Sequence, residues 1–392
     1  DGPSGCVAVK RVWLLPTAQA MLDLTGGHPS IVGNDRESGR MSLIVDDRPT
    51  DARRGSDFAV LCRQIRDARL LDRRYGSYAL RIAATLGLFA TTWLVFVTLG
   101  DSWFQLVIAA VLGLVFTQVA FLGHDGGHQQ IWRNRRANDL LTIVAGDLLV
   151  GLSYGWWIDK HNRHHSHPNH EGVDPDIGDG VLAFTTDQVA IRHAKLGRFI
   201  ARHQAALFFP LLTFEGLQLH VAGARHLLSP STGRGRYRRL ELALFTTHTV
   251  AYASALLIVL TPAQALAFFA IHQAVFGLYM GLSFAPNHKG MPTIAPGHSM
   301  DYLRRQVLTS RNVRGGWFTD QFLGGLNYQV EHHLFPNMPR ANLRRAQAFV
   351  RAHCDLHAIT YTETSFFGSY AIVLRHLHAL GAPLRRPARA TS

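Results

Sequence analysis

Residues 242–288 read LALFTTHTVAYASALLIVLTPAQALAFFAIHQAVFGLYMGLSFAPNH, 47 residues without a single Asp, Glu, Lys or Arg. A bilayer hydrocarbon core of about 30 Å is crossed by about 20 helical residues. The run is therefore long enough to cross twice, with TPAQ (261–264) as the turn. A second run has the same character: from Ile82 to Gly123, 42 residues carry one formal charge, Asp101, and GDSW (100–103) supplies the turn. Buried hairpins of a soluble protein rarely sustain such runs without a charge on an outward face. The expected fold class is all-α: an integral membrane protein of two transmembrane helical hairpins, four spans in all, with a cytosolic helical domain.

The whole chain has 392 residues, 47% of them hydrophobic, and a formal net charge of +13, so charge and apolar sequence must be segregated. Arginines flank the spans. Arg53, Arg54, Arg63, Arg66, Arg69, Arg73, Arg74 and Arg81 precede the first; Arg133, Arg135 and Arg136 follow the second; Arg304, Arg305, Arg311 and Arg314 follow the fourth. The turns between spans carry no Lys or Arg, so the positive-inside rule predicts a multi-pass protein with both termini and the 124–241 segment in the cytoplasm. Membrane headgroups account for the basicity. No nucleic-acid motif accompanies it.

Segments 139–157 and 199–227 are apolar but interrupted by polar residues and are expected to lie at the membrane surface or against the cytosolic part. Cys6, Cys62 and Cys354 are too dispersed for a disulfide framework or a thiolate metal site. Residues 1–77 form an N-terminal region in which 1–40 show no sustained period. One reading starts the functional chain at Met41. Residues 381–392 read as a basic tail.

The histidines carry the chemistry. FLGHDGGHQQ places His124 and His128 four residues apart, on one helical face at the end of the second span. KHNRHHSHPNH (160–170) places His161, His164 and His165 at i, i+3 and i+4, while His167 and His170 are read as solvated or supporting. FAPNHKG brings His288 to the end of the fourth span. GLNYQVEHHLFP repeats the i, i+3, i+4 spacing with Gln329, His332 and His333. A lone His pair says little, but four segments emerging at one membrane face predict a shared site. Eight histidines exceed what one zinc takes, about four ligands. They suit two metal ions with open positions, and imidazole alone does not name the metal. Ligand imidazoles need an acceptor on their second nitrogen. Asp125, Asn169, Asp174, Asp176 and Glu331 are candidates by proximity in sequence.

HDGGH, HNRHH and QVEHH, in this order around two hairpins, resemble the three histidine boxes of the membrane fatty acid desaturase family. The similarity runs from about residue 78 to 380 and includes HHSHPNHEGVDPDIG, NHKGMP and HHLFPNMPRANL. The Gln in the third box resembles the branch of front-end and linoleoyl-CoA-type desaturases. The resemblance implies a desaturase domain over 78–380 and a cofactor of two Fe ions, a non-haem di-iron centre. It implies box ligands His124, His128, His161, His164, His165, His332 and His333, with His288 as the further ligand. Gln329 is expected to bind iron weakly or to act through a hydrogen bond, and Asp125, Asn169 and Asp176, by their proximity in sequence, to support the ligands. Acyl-CoA desaturases place an Asn four residues before the further His, against an iron-bound water. Here that position is Phe284.

The implied reaction removes two vicinal hydrogens from an acyl-lipid or acyl-CoA chain with dioxygen. Acid–base chemistry cannot break such bonds, so a reduced metal pair must supply the oxidising power. No flavin, haem or iron–sulfur motif is read here, so an external ferredoxin-like or cytochrome-type donor is expected. A lipid hydroxylase or epoxygenase on the same scaffold is the nearest alternative. A metal transporter would put ionisable groups inside the spans, and a zinc hydrolase would hold one zinc. His248 and His272, inside the predicted spans, read as packing or tunnel residues. Trp132, Trp156, Trp157 and Trp317 read as an aromatic belt.

Overall fold

The hydrophobic runs and their polar breaks translate into helices almost throughout. The computed structural model describes residues 56–229 and 235–385; the readings on residues 1–40, Met41, Arg53, Arg54 and the end of the tail fall outside them. In chain order, α1 (Asp57–Asp67) leads into the first hairpin, α2 (Tyr75–Leu99) and α3 (Gln105–Gly127). Next, α4 (Arg135–Ile143) continues into a π-helical stretch, Val144–Val150, and then α5 (Tyr154–Ser166), α6 (Thr186–Ala190), α7 (Lys195–Leu212) and α8 (Glu215–Leu228). The second hairpin is α9 (Arg238–Val259) and α10 (Pro262–His288). The remainder comprises α11 (Tyr302–Leu308), β1 (Asn312–Arg314), α12 (Trp317–Phe322), α13 (Gln329–Leu334), α14 (Arg340–Leu356), β2 (Glu363–Ser365), α15 (Phe366–Leu380) and α16 (Ala382–Arg385). β1 and β2 pair in parallel, Asn312 opposite Glu363.

TPAQ proves to be less a turn than a cap. Thr261 accepts a hydrogen bond from Gln264 N, and Gln264 Oε1 accepts from Thr261 N at 2.9 Å, a reciprocal pair that satisfies two otherwise orphaned donors. Pro262 occupies the first helical position, where its missing N–H removes nothing. Leu260 and Thr261 alone join α9 to α10.

Among the described residues, four helices are long and apolar enough to cross a membrane: α2, α3, α9 and α10. The pairs α4–α5 and α7–α8 pass the same test only if each is taken as one span, and they bend by 116° and 79° at their breaks. Such bends suit helices folded against the non-spanning part. α3 and α10 form the inner pair, with Gly113 at their closest approach. A Cβ there would lie 2.9 Å from Phe276 N and 3.0 Å from His272 O. α2 and α9 flank them and leave Leu80, Leu94, Val97, Leu257 and Ile258 largely exposed. Apolar surface in water is disfavoured by about 25 cal/mol per Å², so these faces belong against lipid. The chain is a multi-pass membrane protein.

Outside the spans, Leu61, Ile65, Val307, Val330, Leu343 and Val350 meet in one core. α1, from the N-terminal region, thus packs in the same core as α13, which carries the third histidine motif.

Candidate metal centre

The ends of α3 and α10, together with α5 and α13, bring the histidines together. Two groups form: His124, His128, His161 and His332, and His164, His288 and His333. Within each group the candidate ligand atoms lie within 4.8 Å of one another. His165 sits between the groups, its Nε2 3.1 Å from His161 Nε2 and its ring stacked on His333 at 4.2 Å. His167 and His170 stay outside both.

In the second group the unused nitrogen of every ring is tied down. His164 Nδ1 donates to Asp174 Oδ1 (3.0 Å), His288 Nδ1 to the Thr309 carbonyl (3.0 Å) and His333 Nδ1 to Gln306 Oε1 (2.9 Å). Each Nε2 is then left as a lone pair. These lone pairs face each other, His288 Nε2 lying 3.3 Å from His164 Nε2 and 3.1 Å from His333 Nε2. Lone pairs at such separations repel unless a cation lies among them. In the first group His128 Nε2 and His161 Nε2 approach to 2.8 Å, while both nitrogens of His124 and Nε2 of His332 are buried without a hydrogen-bond partner. Orphaned buried polar atoms cost about 1–3 kcal/mol each, and metal coordination removes that penalty. The residues fit two metal ions.

Protonation points the same way. Burial, then the neighbouring imidazoles, holds His128, His161, His165, His332 and His333 well below the usual histidine range, so their lone pairs are free at neutral pH. His164 is the exception: burial pushes it down, but Asp176 and Asp174 outweigh burial and raise it. Those carboxylates make a third compact group, His164, Asp174 and Asp176, which is the same imidazole met from its other nitrogen.

The carboxylates and amides named from sequence take distinct places. Asp174 is the acceptor for His164, and Asp176 lies 3.5 Å from the same Nδ1 while pairing with Lys160. Asn169 hydrogen-bonds no ligand ring. Its backbone N–H donates to Asp174 Oδ2 (2.7 Å), and its amide donates to the His288 carbonyl (3.1 Å). It holds the loop in a left-handed conformation (φ 53). Asp125 Oδ1 is 3.5 Å from His124 Nδ1, a long contact at the limit of hydrogen bonding, and Oδ2 pairs with Arg340 at 2.8 Å. Gln329 Nε2 is 2.8 Å from His288 Nε2, and Gln329 Oε1 accepts from Asn287 Nδ2 (3.1 Å). Glu331 turns away from the rings to accept from Asn312 and Tyr361, and burial raises its pKa to about 7. Phe284 lines a cavity instead of offering a polar contact.

Sequence spacing missed Gln306, the Thr309 carbonyl and Arg340. Gln306 and Thr309 sit at α11, far in sequence from the rings they serve, and no local pattern marks them. Arg340, 7% exposed, stands in the NMPRANL stretch directly after the third histidine motif. The aromatic-belt reading of Trp157 is corrected. Its ring stacks on His161 at 4.5 Å, because α5 turns inward beside the site. That contact explains a glycine of HDGGH. A Cβ on Gly127 would fall 2.3 Å from the Trp157 ring, and one on Gly126 would fall 2.5 Å from Thr142 Oγ1.

A cavity of about 730 Å³ opens beside both groups. Trp157, His161, His164 and Gln329 line its metal end; Phe208 and Met280 are among the apolar residues of its wall.

An imidazole site for two metals, at the ends of membrane-spanning helices and beside an apolar cavity, defines a class of membrane-bound lipid-handling metalloproteins. The profile described as "Fatty acid desaturase" matches residues 101–365, and the chain belongs to that family. It is 31% identical over 282 residues to an acyl-lipid (9-3)-desaturase of Physcomitrium patens, covering 69% of this chain and 52% of that protein. It is 30% identical over 331 residues to a Delta(8)-fatty-acid desaturase of Euglena gracilis, covering 82% of this chain and 78% of that one. A Delta(6)-fatty-acid desaturase of Caenorhabditis elegans is 31% identical over 281 residues, 69% of this chain and 63% of the relative. The chain thus spans about half the length of the first of these relatives.

Proposed function

We propose that this protein introduces a cis double bond into an acyl chain, carried on a lipid or on CoA, at a non-haem di-iron centre fed by an external electron donor. The observation that carries this reading is the convergence of two sets of imidazole lone pairs beside an apolar cavity. His124, His128, His161 and His332 would hold one iron and His164, His288 and His333 the other, with His165 between them. Gln329 is close enough to join the second set, or to keep its hydrogen bond to His288. When bound, the iron pair supplies, with dioxygen, the oxidising power to remove two hydrogens from unactivated methylenes.

The chain's own side chains do the rest. The apolar part of the cavity wall, Phe208 and Met280 among it, takes up the hydrocarbon, while Lys160, Asp176, Glu215 and Lys289 line its polar part, and Trp157 stacks on His161. Asp174, Gln306 and the Thr309 carbonyl keep protons on Nδ1 and so keep Nε2 free for metal. Asp174→Asn is expected to lower metal affinity of the second set by about 10–100-fold, read as iron retained per chain after dialysis against a graded chelator. Retention equal to wild type would remove Asp174 from this role.

Arginine placement supports a cytoplasmic site and termini. Arg133, Arg135 and Arg136 are exposed on the stretch following α3. They would steer an acidic ferredoxin-like carrier or a cytochrome-type domain to this face. Reversing all three charges is expected to flatten the ionic-strength dependence of turnover with a saturating lipid substrate. An unchanged dependence would place the donor elsewhere.

The direct test is expression in a host lacking polyunsaturated lipids, followed by mass spectrometry of its fatty acids. Loss of two mass units on the acyl chain is the expected result. Gain of an oxygen would make the protein a hydroxylase or epoxygenase instead.

A further inference from the structure

A second cavity lies apart from the metal site. The second hairpin is splayed: α9 leans on the Val144–Val150 stretch, while α10 packs on α3 and α8. Between α8, α9 and the N-terminal half of α10 this leaves a cleft of about 590 Å³. Its wall includes Leu256, Leu257, Leu266 and Phe269, and no Asp, Glu, Lys or Arg. Leu257, on the α9 face assigned above to lipid, is 66% exposed, and Leu266, near the start of α10, is 70% exposed.

The polar groups of the cleft are largely turned inward. Thr249 donates to the Phe245 carbonyl (2.9 Å), His248 Nδ1 to the Leu148 carbonyl (2.9 Å) and His220 Nδ1 to the Gly216 carbonyl (2.6 Å). Tyr252 Oη is paired with His272 Nδ1 (2.8 Å). Of the described lining residues, His272 Nε2 and Gln273 Oε1 are buried without a partner. The His272 ring meets Phe116 edge to face, and Gln273 Oε1 packs beside Gly216. Such a wall suits hydrocarbon better than a polar ligand.

The cleft adjoins the metal-site cavity along α8, where Leu217 and Val221 line both and stand between them. Along α10 the cavity runs from His288 to Met280 and the cleft takes over at Gln273, a gap of about 10 Å of helix. We propose that the cleft is the far subsite for the substrate. The acyl chain passes the metals, crosses between Leu217 and Val221, and rests its methyl-terminal part between α9 and α10. This rests on the desaturase reading and names the substrate as a chain long enough to reach past the junction, with its tail open to the bilayer.

Two experiments decide it, on the full chain in lipid nanodiscs. Wild type should favour the longer of two homologous acyl substrates by about fourfold for each methylene that enters the cleft. Val221→Trp, which narrows the junction, should abolish that preference while iron content and melting temperature stay at wild-type values. Independently of turnover, a fatty acid with a diazirine at its methyl end should label residues 252–257 and 265–269 on irradiation. An unchanged length preference in V221W with intact iron would overturn the proposal, as would label confined to 208–214 and 280–285. If wild type forms no double bond at all, the desaturase reading fails, and the position of the label still decides the occupant of the cleft.

Discussion

His164→Ala is expected to abolish product and to reduce bound iron from two per chain to about one. This histidine belongs to the group whose three Nε2 atoms face each other, and it alone among them carries a buried carboxylate on Nδ1. Truncation removes one of three imidazoles from the second set and leaves Asp174 buried, its partner gone. Three coordinating side chains are about the minimum for an open catalytic site, so two do not retain the ion. The first set keeps all four of its rings, so one iron should remain. Elemental analysis of purified protein, together with fatty-acid profiling of the expressing host, tests both halves. Product at wild-type levels, or two irons retained, would refute the assignment of His164.

Arg340→Met is expected to produce the second largest effect, at a residue that touches no imidazole. Its guanidinium pairs with Asp125 at 2.8 Å and donates to the Phe121 carbonyl at 3.2 Å, and both charges are almost completely buried. Removing one member of a buried ion pair strands the other, at about 3–5 kcal/mol. Asp125 adjoins His124, so the strain should reach the first metal set. The melting temperature should drop by several degrees and iron occupancy should fall. The double variant Arg340→Met, Asp125→Leu separates the two effects, because replacing both charges with apolar side chains removes the stranded carboxylate. Stability should recover in the double variant and iron occupancy should not. Recovery of both would make the pair a packing element with no hold on His124.

How legible each part was depended on how far apart in sequence its components lie. The two hairpins could be read directly because a span needs only a local property, about 20 residues without charge. The i, i+3, i+4 spacing on α5 and α13 was equally local, since a helix of 3.6 residues per turn sets which side chains share a face. Even so, local spacing did not divide the histidines. His161 and His164 share one helix yet serve different groups, and the third box is divided likewise between His332 and His333. Nothing in KHNRHH or QVEHH marks that division. It follows from how α5 and α13 cross between the ends of α3 and α10.

The glycines of HDGGH show the same limit from another side. Their number was visible, but their reason is steric and lies in α4 and α5, in Thr142 and Trp157. Trp157 itself looked like an interfacial aromatic because composition cannot tell a ring at the headgroups from a ring stacked on a buried histidine. The supporting acceptors Gln306 and Thr309 gave no signal at all.

From its sequence alone the protein was determined to be helical, membrane-spanning and equipped with histidines at one face, because hydropathy and helical period act within a few turns of chain. Which imidazoles gather into each group, which acceptor faces each Nδ1, how Arg340 reaches Asp125 and where the second hairpin parts were decided only by the tertiary structure. Each of those depends on distances between residues that are remote in the chain and are brought together by packing.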